Sequence, residues 1–515
     1  MNYLSIELKK TKRRGIWLVL AALLLVIGAW MTYSLKDDQY LDFGWMMILY
    51  DAPLLNAILI PTAAAVFASR IIDMEHKGNT WKLLETMQSK AAIYFSKILY
   101  GFIGILIFCI SELLLLLLIG AGIGFHGMPD AWAYLLFFVQ TLVITFNLFL
   151  LQMIVSLVFH NQAAALCTGL CGSMAGLFLM YMPQWPLLRC IIPWGHYGAS
   201  MFVGMDWSKE TRIMGFYYFY QENSAAFFII GWLAYLLIGG WLIFEHMDTD
   251  GYSFSNFRIA FSRAGRKTPP AKAVKIPVLP VEMLKVKRTP IWLAFILLPS
   301  ISAFIGTFNY LSNLDVLQST WHSLWTQHSL FFCYFFLPPL IGVYASYLWR
   351  LEHNGANWNM VMVNTPAWRI VFNKVAMCSA ITFLTLAWLG FLFIVCGKYA
   401  GITEPIPTEL IDWLACGFAG GIAVCTIQCF LSLIIRSFAV PIGIALLGGI
   451  AGLMVTAKGW FYILPYSLLS VGMRANNPKR ALDRTAFGVS CVLFITGFYL
   501  LSVWYIRRHD VRTQE

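Results

Sequence analysis

Long apolar runs alternate with short polar stretches along the whole chain. They fall at about 16–34, 44–69, 92–124, 131–159, 162–182 and 225–244, then at about 291–309, 327–349, 373–396, 411–435, 438–456 and 487–506. A helix needs about 20 apolar residues to cross the hydrocarbon core of a bilayer. In lipid the backbone groups must be satisfied inside the segment, which selects helices for such runs. The pattern therefore predicts an all-α polytopic membrane protein with about 12 transmembrane helices. The run at 92–124 is too long for one upright helix, and is expected to tilt, to kink at Gly101 or Gly104, or to leave the membrane as an interfacial segment. The first run follows a basic start, as a signal peptide does, but it lacks a small-x-small cleavage site and reads as a retained first helix.

The two sets of six runs repeat each other at a period of about 276 residues. Glu7, Lys12, Arg13, Ile16 and Trp17 recur as Glu282, Lys287, Arg288, Ile291 and Trp292. After the second run, Glu75-His76-Lys77-Gly78-Asn79-Thr80-Trp81 recurs as Glu352-His353-Asn354-Gly355-Ala356-Asn357-Trp358, with Lys97 and Lys374 following at equal distance. Further on, Gly172 and Ala175-Gly176-Leu177 match Gly448 and Ala451-Gly452-Leu453. Six crossings return the chain to the side it started from, so the copies share one orientation and form a parallel repeat. This predicts a first six-helix half at 1–245, a cytoplasmic linker at 246–280 that carries Pro269-Pro270, and a second six-helix half at 281–515.

Composition agrees and narrows the class. The 515 residues are 59% hydrophobic and only 12% charged. Soluble proteins carry about 25% charged residues. Neither a large soluble domain nor a disordered chain fits. A net charge of +11 would suggest nucleic acid in a soluble protein, but its placement says otherwise. With both termini cytoplasmic, Lys9, Lys10, Lys12, Arg13 and Arg14, then Arg70, Lys77, Lys82, Lys90 and Lys97, and finally Arg507, Arg508 and Arg512 all face inward. That is the positive-inside pattern. Arg474, Lys479, Arg480 and Arg484 break it, and two readings are open: a re-entrant piece at 460–485, or a local weakness of the rule. The 11 cysteines form no CxxC pair, so neither a zinc nor a redox site is supported.

Polar residues at the span ends are the candidates for function. Each half opens on a short amphipathic basic stretch, with Lys9, Lys12 and Arg13 in the first and Lys285, Lys287 and Arg288 in the second. Such a stretch suits an elbow helix lying among lipid head groups. The segments Glu75–Lys90 and Glu352–Arg369 either anchor the chain at the interface or dock a partner, with each glutamate reaching a partner's cation and each tryptophan, Trp81 and Trp358, wedged in a groove. Glu112 lies inside an apolar run, where a carboxylate is costly unless protonated, paired or facing water. It either lines a substrate route or ties two helices together. The aromatic-rich outer loops at 183–224 and 457–486 read as membrane belts or as contacts for an amphipathic peptide. No phosphate-binding loop and no H-E-x-x-H site occurs, so any ATP would be hydrolysed by another polypeptide.

This layout resembles the ABC-2 family of permeases, as two fused copies covering essentially the whole chain, and locally the lantibiotic-immunity and bacteriocin or antibiotic efflux permeases of Gram-positive bacteria. Members have an amphipathic elbow, six spans per unit, and a cytoplasmic coupling helix after a glutamate between spans two and three. The matching positions run from Glu75 to Lys97, with Thr80 and Leu83-Leu84, and from Glu352 to Lys374. The resemblance implies that Glu75, His76, Gly78, Trp81, Lys97, Glu352, His353, Gly355, Trp358 and Lys374 couple the permease to two ATP-binding subunits. These partners would hold the ATP and Mg, leaving this chain without catalytic residue, cofactor or metal. It also implies a bacterial cell membrane, contact with lipids, and outward movement of an amphipathic peptide, an antibiotic or another lipid-like molecule, with no role for nucleic acid. Two rivals stand beside it: an ion- or proton-coupled secondary transporter, for which Glu112 is the best feature, and a non-transporting membrane sensor or scaffold.

Overall fold

Apolar helices of spanning length dominate the computed structural model, which describes residues 7–10, 16–35, 41–78, 80–159, 162–180, 185–207, 214–219, 224–247, 291–314, 317, 320–353, 362 and 365–508. Among these residues ten helices are long and apolar enough to cross a membrane. Two further expected spans, at 16–34 and 162–182, are apolar helices of 19 residues each, Ile16–Ser34 and Gln162–Met180. The chain is a mostly helical, multi-pass membrane protein. It divides into two compact units, Met1–Ser253 and Phe254–Glu515.

In the first unit, α1 (Ile16–Ser34), α2 (Gly44–Gly78), α3 (Trp81–Met87), α4 (Lys90–Ile123), α5 (Ala131–Val158) and α6 (Gln162–Met180) are followed by two short helices, α7 (Pro186–Ile191) and α8 (His196–Ala199). A hairpin of β1 (Val203–Trp207) and β2 (Met214–Tyr218) then leads to α9 (Ser224–Glu245). Side-chain caps set the boundaries where the sequence supplies them. Ser89 accepts from the Ala92 N–H at 3.2 Å to start α4, and Asp130 accepts from the Trp132 N–H at 2.9 Å to start α5. Gly124 ends α4 with φ +89°, a conformation that suits glycine. The over-long apolar run is thus one helix of 34 residues. Its rise of about 51 Å exceeds the ~30 Å core, so α4 extends beyond the bilayer or tilts within it.

The hairpin corrects the expectation of an all-α chain. Val203 pairs with Tyr218 and Trp207 with Met214 in antiparallel register. Val, Phe and Tyr are good strand residues, and here they occupy a loop between spans where no helical period competes.

Hydropathy runs inside out. In α2, 94% of the most apolar stretch is buried, against 33% in α4 and 22% in α9. Yet α2 is one of the two least apolar spans and α4 the most apolar. Lipid tails are as apolar as leucine, so apolarity alone does not bury a helix in a membrane. Polar residues draw it inward, and α2 carries Asn56, Thr62, Ser69, Asp73 and Glu75, all buried. Thr62 meets Ser173 of α6 at 3.0 Å.

The second unit contains α10 (Ile291–Ser312), α11 (Trp321–Phe331), α12 (Leu337–His353), α13 (Ala367–Tyr399), α14 (Leu410–Ile434), α15 (Ala439–Ala457), α16 (Pro465–Gly472) and α17 (Arg484–Arg508). A π-helical turn, Phe332–Phe336, fuses α11 to α12. The resulting span is the least apolar of the ten described and 89% of its most apolar stretch is buried, the same inversion as at α2. Pro338 and Pro339 follow the turn. Having no N–H, they leave the Tyr334 carbonyl without its helical donor. Gly449 of α15 sits against that oxygen, which lies 1.9 Å from where a Cβ would be.

The matched glycines do the same work in both units. A Cβ on Gly172 would fall 2.0 Å from the indole nitrogen of Trp194, and one on Gly448 would fall 2.4 Å from the ring of Tyr466. Each glycine seats an aromatic ring from the short segment that follows its helix.

Candidate functional site

Five positions meet where α2 ends. The Glu75 carboxylate, 1% exposed, accepts from Lys97 Nζ of α4 at 2.9 Å and from Lys10 Nζ at 2.8 Å. The Thr80 hydroxyl donates to its other oxygen. Glu7 joins the cluster, 3.4 Å from Lys97 and 3.2 Å from Lys10. Two acids and two lysines thus tie the segment before α1 to the ends of α2 and α4. For Lys10, partial burial acts to lower its pKa, but hydrogen bonding and charge from Glu75 and Glu7 outweigh it, so the ammonium is held above its ordinary range. Removing charge from a cluster this buried leaves its partner unpaired, which costs more than the pair contributes.

A histidine straps the same corner. His76 Nδ1 accepts from the Trp81 indole N–H at 3.2 Å. Nε2 therefore carries the ring proton, and it faces the Ser156 carbonyl of α5 at 3.2 Å. Lys97 also lies over the Trp81 ring, 5.6 Å from its centroid. Trp81 is buried. The sequence leaves two readings open, interfacial anchoring and docking to a partner; among the described residues the hydrogen bonds of Trp81 and of Glu75 run to groups of the unit itself. What α3 shows outward is Leu83, 59% exposed, and Met87, 71% exposed, one helical turn apart on one face.

The second unit repeats the core of this arrangement. Lys374 Nζ of α13 lies 2.9 Å from Glu352 Oε1 of α12 and donates to the Leu348 carbonyl at 2.7 Å. It sits 4.8 Å from the Trp349 ring centroid. His353 Nε2 donates to the Ser432 carbonyl of α14 at 2.9 Å, the counterpart of the His76–Ser156 contact. Gly78 is exposed at the end of α2. Gly355 and Trp358 lie outside the described residues, as do the elbow residues Lys12, Arg13, Lys285, Lys287 and Arg288; Lys9 is described and exposed. The sequence reading missed Lys10 as a partner of Glu75. The signal for its neighbour was present, because Glu7 recurs as Glu282 at the repeat spacing.

A family profile described as ABC-2 family transporter protein matches residues 3–176 and again 278–452. The chain belongs to the ABC-2 transporter family. No curated protein matches it. ABC-2 permease domains are non-catalytic transmembrane components, and among the described residues no group of three His, Cys, Asp or Glu is placed to hold a metal. Both matched regions of this ABC-2 chain contain one of the buried Glu–Lys pairs. Each pair joins the end of one long helix to the start of the next long one.

Glu112 lies apart from these pairs, in the middle of α4. It is 1% exposed, and neither carboxylate oxygen has a hydrogen-bond partner of ordinary geometry; the nearby Asn56 of α2 is also unsatisfied at both side-chain atoms. An unmet buried polar group costs about 1–3 kcal/mol. Glu112→Gln keeps the shape and supplies donors. It is expected to melt at or above the wild-type temperature in detergent; a melt well below it would show that a partner holds the charge.

Proposed function

We propose that the chain is the fused transmembrane permease of an ATP-driven exporter in a bacterial cell membrane, with both termini cytoplasmic. Residues 1–245 and 281–515 are two parallel six-helix halves joined by a linker at 246–280. Two ATP-binding subunits dock beneath them, and an amphipathic peptide, antibiotic or lipid-like molecule moves outward. The observation that carries this reading is the recurrence of one device at corresponding places, Glu75–Lys97 with His76 on Ser156, and Glu352–Lys374 with His353 on Ser432.

The mechanism follows from which groups face where. Leu83 and Met87 of α3 offer the partner an apolar face. Trp81 and the Glu75 cluster anchor that helix to α2, α4 and α5. Nucleotide state acts on the permease only as far as the partner binds two permease conformations unequally, and a rigid joint at α3 passes that difference to the spans. Recovering the intact complex from membranes and counting subunits tests this: two ATP-binding domains per 515-residue chain are expected. Serine at both Leu83 and Met87 is expected to release ATP-binding subunits while the permease stays folded. A chain purified without any such partner, and transporting on a proton gradient alone, would instead support the reading that rests on Glu112.

A further inference from the structure

Two of the four cations that break the positive-inside pattern, Arg474 and Arg480, line one pocket of the second unit. The Glu352–Lys374 pair marks one end of the bundle. The connection from α13 to α14 and the segment from α15 to α17 lie at the other, where Arg474 Nη2 donates to Asp412 Oδ2 at 2.7 Å. Arg474 has φ +50°, in the left-handed region that a side chain rarely adopts. Its Nε donates to the Arg480 carbonyl at 3.2 Å, which closes the turn on itself. Arg484 shares Asp412 at 3.3 Å, and Asp483 is spent capping α17. Asp412 is thus shared by Arg474 and Arg484.

Arg480 is the free member. Among the described residues no carboxylate lies within ion-pair distance of it, and its guanidinium rests on the Phe461 ring at 3.7 Å from the centroid. Stacking fixes the plane and leaves the N–H edges available, the posture in which arginine grips phosphate. The pocket beside it reaches down to Tyr334, Thr456 and Ser470. Thr456 and Ser470 give their protons to backbone carbonyls at 2.6 and 2.9 Å. The Tyr334 hydroxyl is fully buried and has no hydrogen-bond partner of ordinary geometry. The floor of the pocket is therefore polar, with the Tyr334 hydroxyl set beside the Thr456 and Ser470 oxygens, beneath the Arg480 guanidinium. Trp460, 62% exposed, and Ile463, 60% exposed, flank the site, suited to the apolar region of a bilayer edge.

We propose that this pocket binds the phosphate headgroup of an anionic membrane lipid, with Arg480 on the phosphate, the Tyr334 hydroxyl reaching a headgroup oxygen, and the acyl chains beside Trp460 and Ile463. This assignment stands apart from any ATP-driven transport.

Purified full-length chain in detergent is titrated with short-chain phosphatidylglycerol, with phosphatidylcholine of equal chain length, and with inorganic phosphate, reading melting temperature and the mass of retained lipid. Phosphatidylglycerol is expected to raise the melting temperature and remain bound, the other two to do neither. Arg480→Gln should weaken the phosphatidylglycerol effect at least tenfold, Arg480→Lys less. Tyr334→Phe, which removes one oxygen and no bulk, should weaken it severalfold and serves if the arginine variants fail to fold. Equal binding of phosphatidylcholine, or a response to inorganic phosphate matching that of the lipid, overturns the assignment, as does phosphatidylglycerol binding untouched by both Arg480→Gln and Tyr334→Phe.

Discussion

Replacing Lys374 with alanine is expected to destabilise the second unit by about 3–5 kcal/mol, the cost of breaking a buried ion pair by removing one member. Lys374 is fully buried and Glu352 is 1% exposed. The ammonium touches the carboxylate at 2.9 Å and the Leu348 carbonyl at 2.7 Å, and alanine leaves both without it. The magnitude comes from desolvation and not from attraction. Water that would solvate Glu352 in an unfolded chain cannot reach it here. Pairing Lys374→Met with Glu352→Gln removes both charges, so most of the loss should return. Tryptophan-fluorescence melts in detergent measure each variant; a Lys374→Ala melt equal to wild type would refute the argument. At Lys97 the same change leaves Lys10 2.8 Å from Glu75, which offsets part of the loss.

Gly449→Ala is expected to destabilise by about 1–3 kcal/mol, the usual cost of forcing a methyl into a filled space. The new Cβ would meet the Tyr334 carbonyl oxygen at 1.9 Å, and a main-chain atom cannot swing aside as a side chain can. Either α15 retreats from the π-turn or the turn unwinds. Gly443 is the control on the same helix. A Cβ there meets nothing within 4 Å, and alanine in a helix interior gains roughly 0.5–1 kcal/mol over glycine. One substitution at two positions six residues apart should therefore move the melting temperature in opposite directions. Equal shifts would remove the close approach from the account.

The apolar runs announced the long helices because spanning length is a direct demand of the bilayer. The repeat was legible for a different reason: Glu75, His76 and Lys97 recur as Glu352, His353 and Lys374 in a polar context where chance similarity is rare. What those residues touch was not legible. The sequence leaves Trp81 as either an interfacial anchor or a partner contact, and its ring turns in, toward His76 and Lys97, while Leu83 and Met87 turn out. A seven-residue helix has two turns, too few for a period to declare its inner face. Tertiary contact also decided the hairpin at Val203–Trp207, since aromatic residues near a membrane edge read equally well as an interfacial belt. The Pro338-Pro339 pair was a signal left unused: two consecutive residues without N–H inside a long helix free carbonyls that some neighbour must meet.

The inverted hydropathy also bears on how the protein is made. In the first unit α2 leaves the ribosome well before α5 and α6, the helices that cover it. About 100 residues separate the end of α2 from the end of α6, which at about 5–20 residues per second is roughly 5–20 s of synthesis. Throughout that interval Thr62 lacks its Ser173 partner, in a span that lipid accepts poorly. The same wait recurs for the span ending at His353, until α14 and α15 arrive. Each unit thus passes through a stage in which its future centre is its least comfortable surface. Membrane insertion factors and quality-control proteases would meet the chain at that stage.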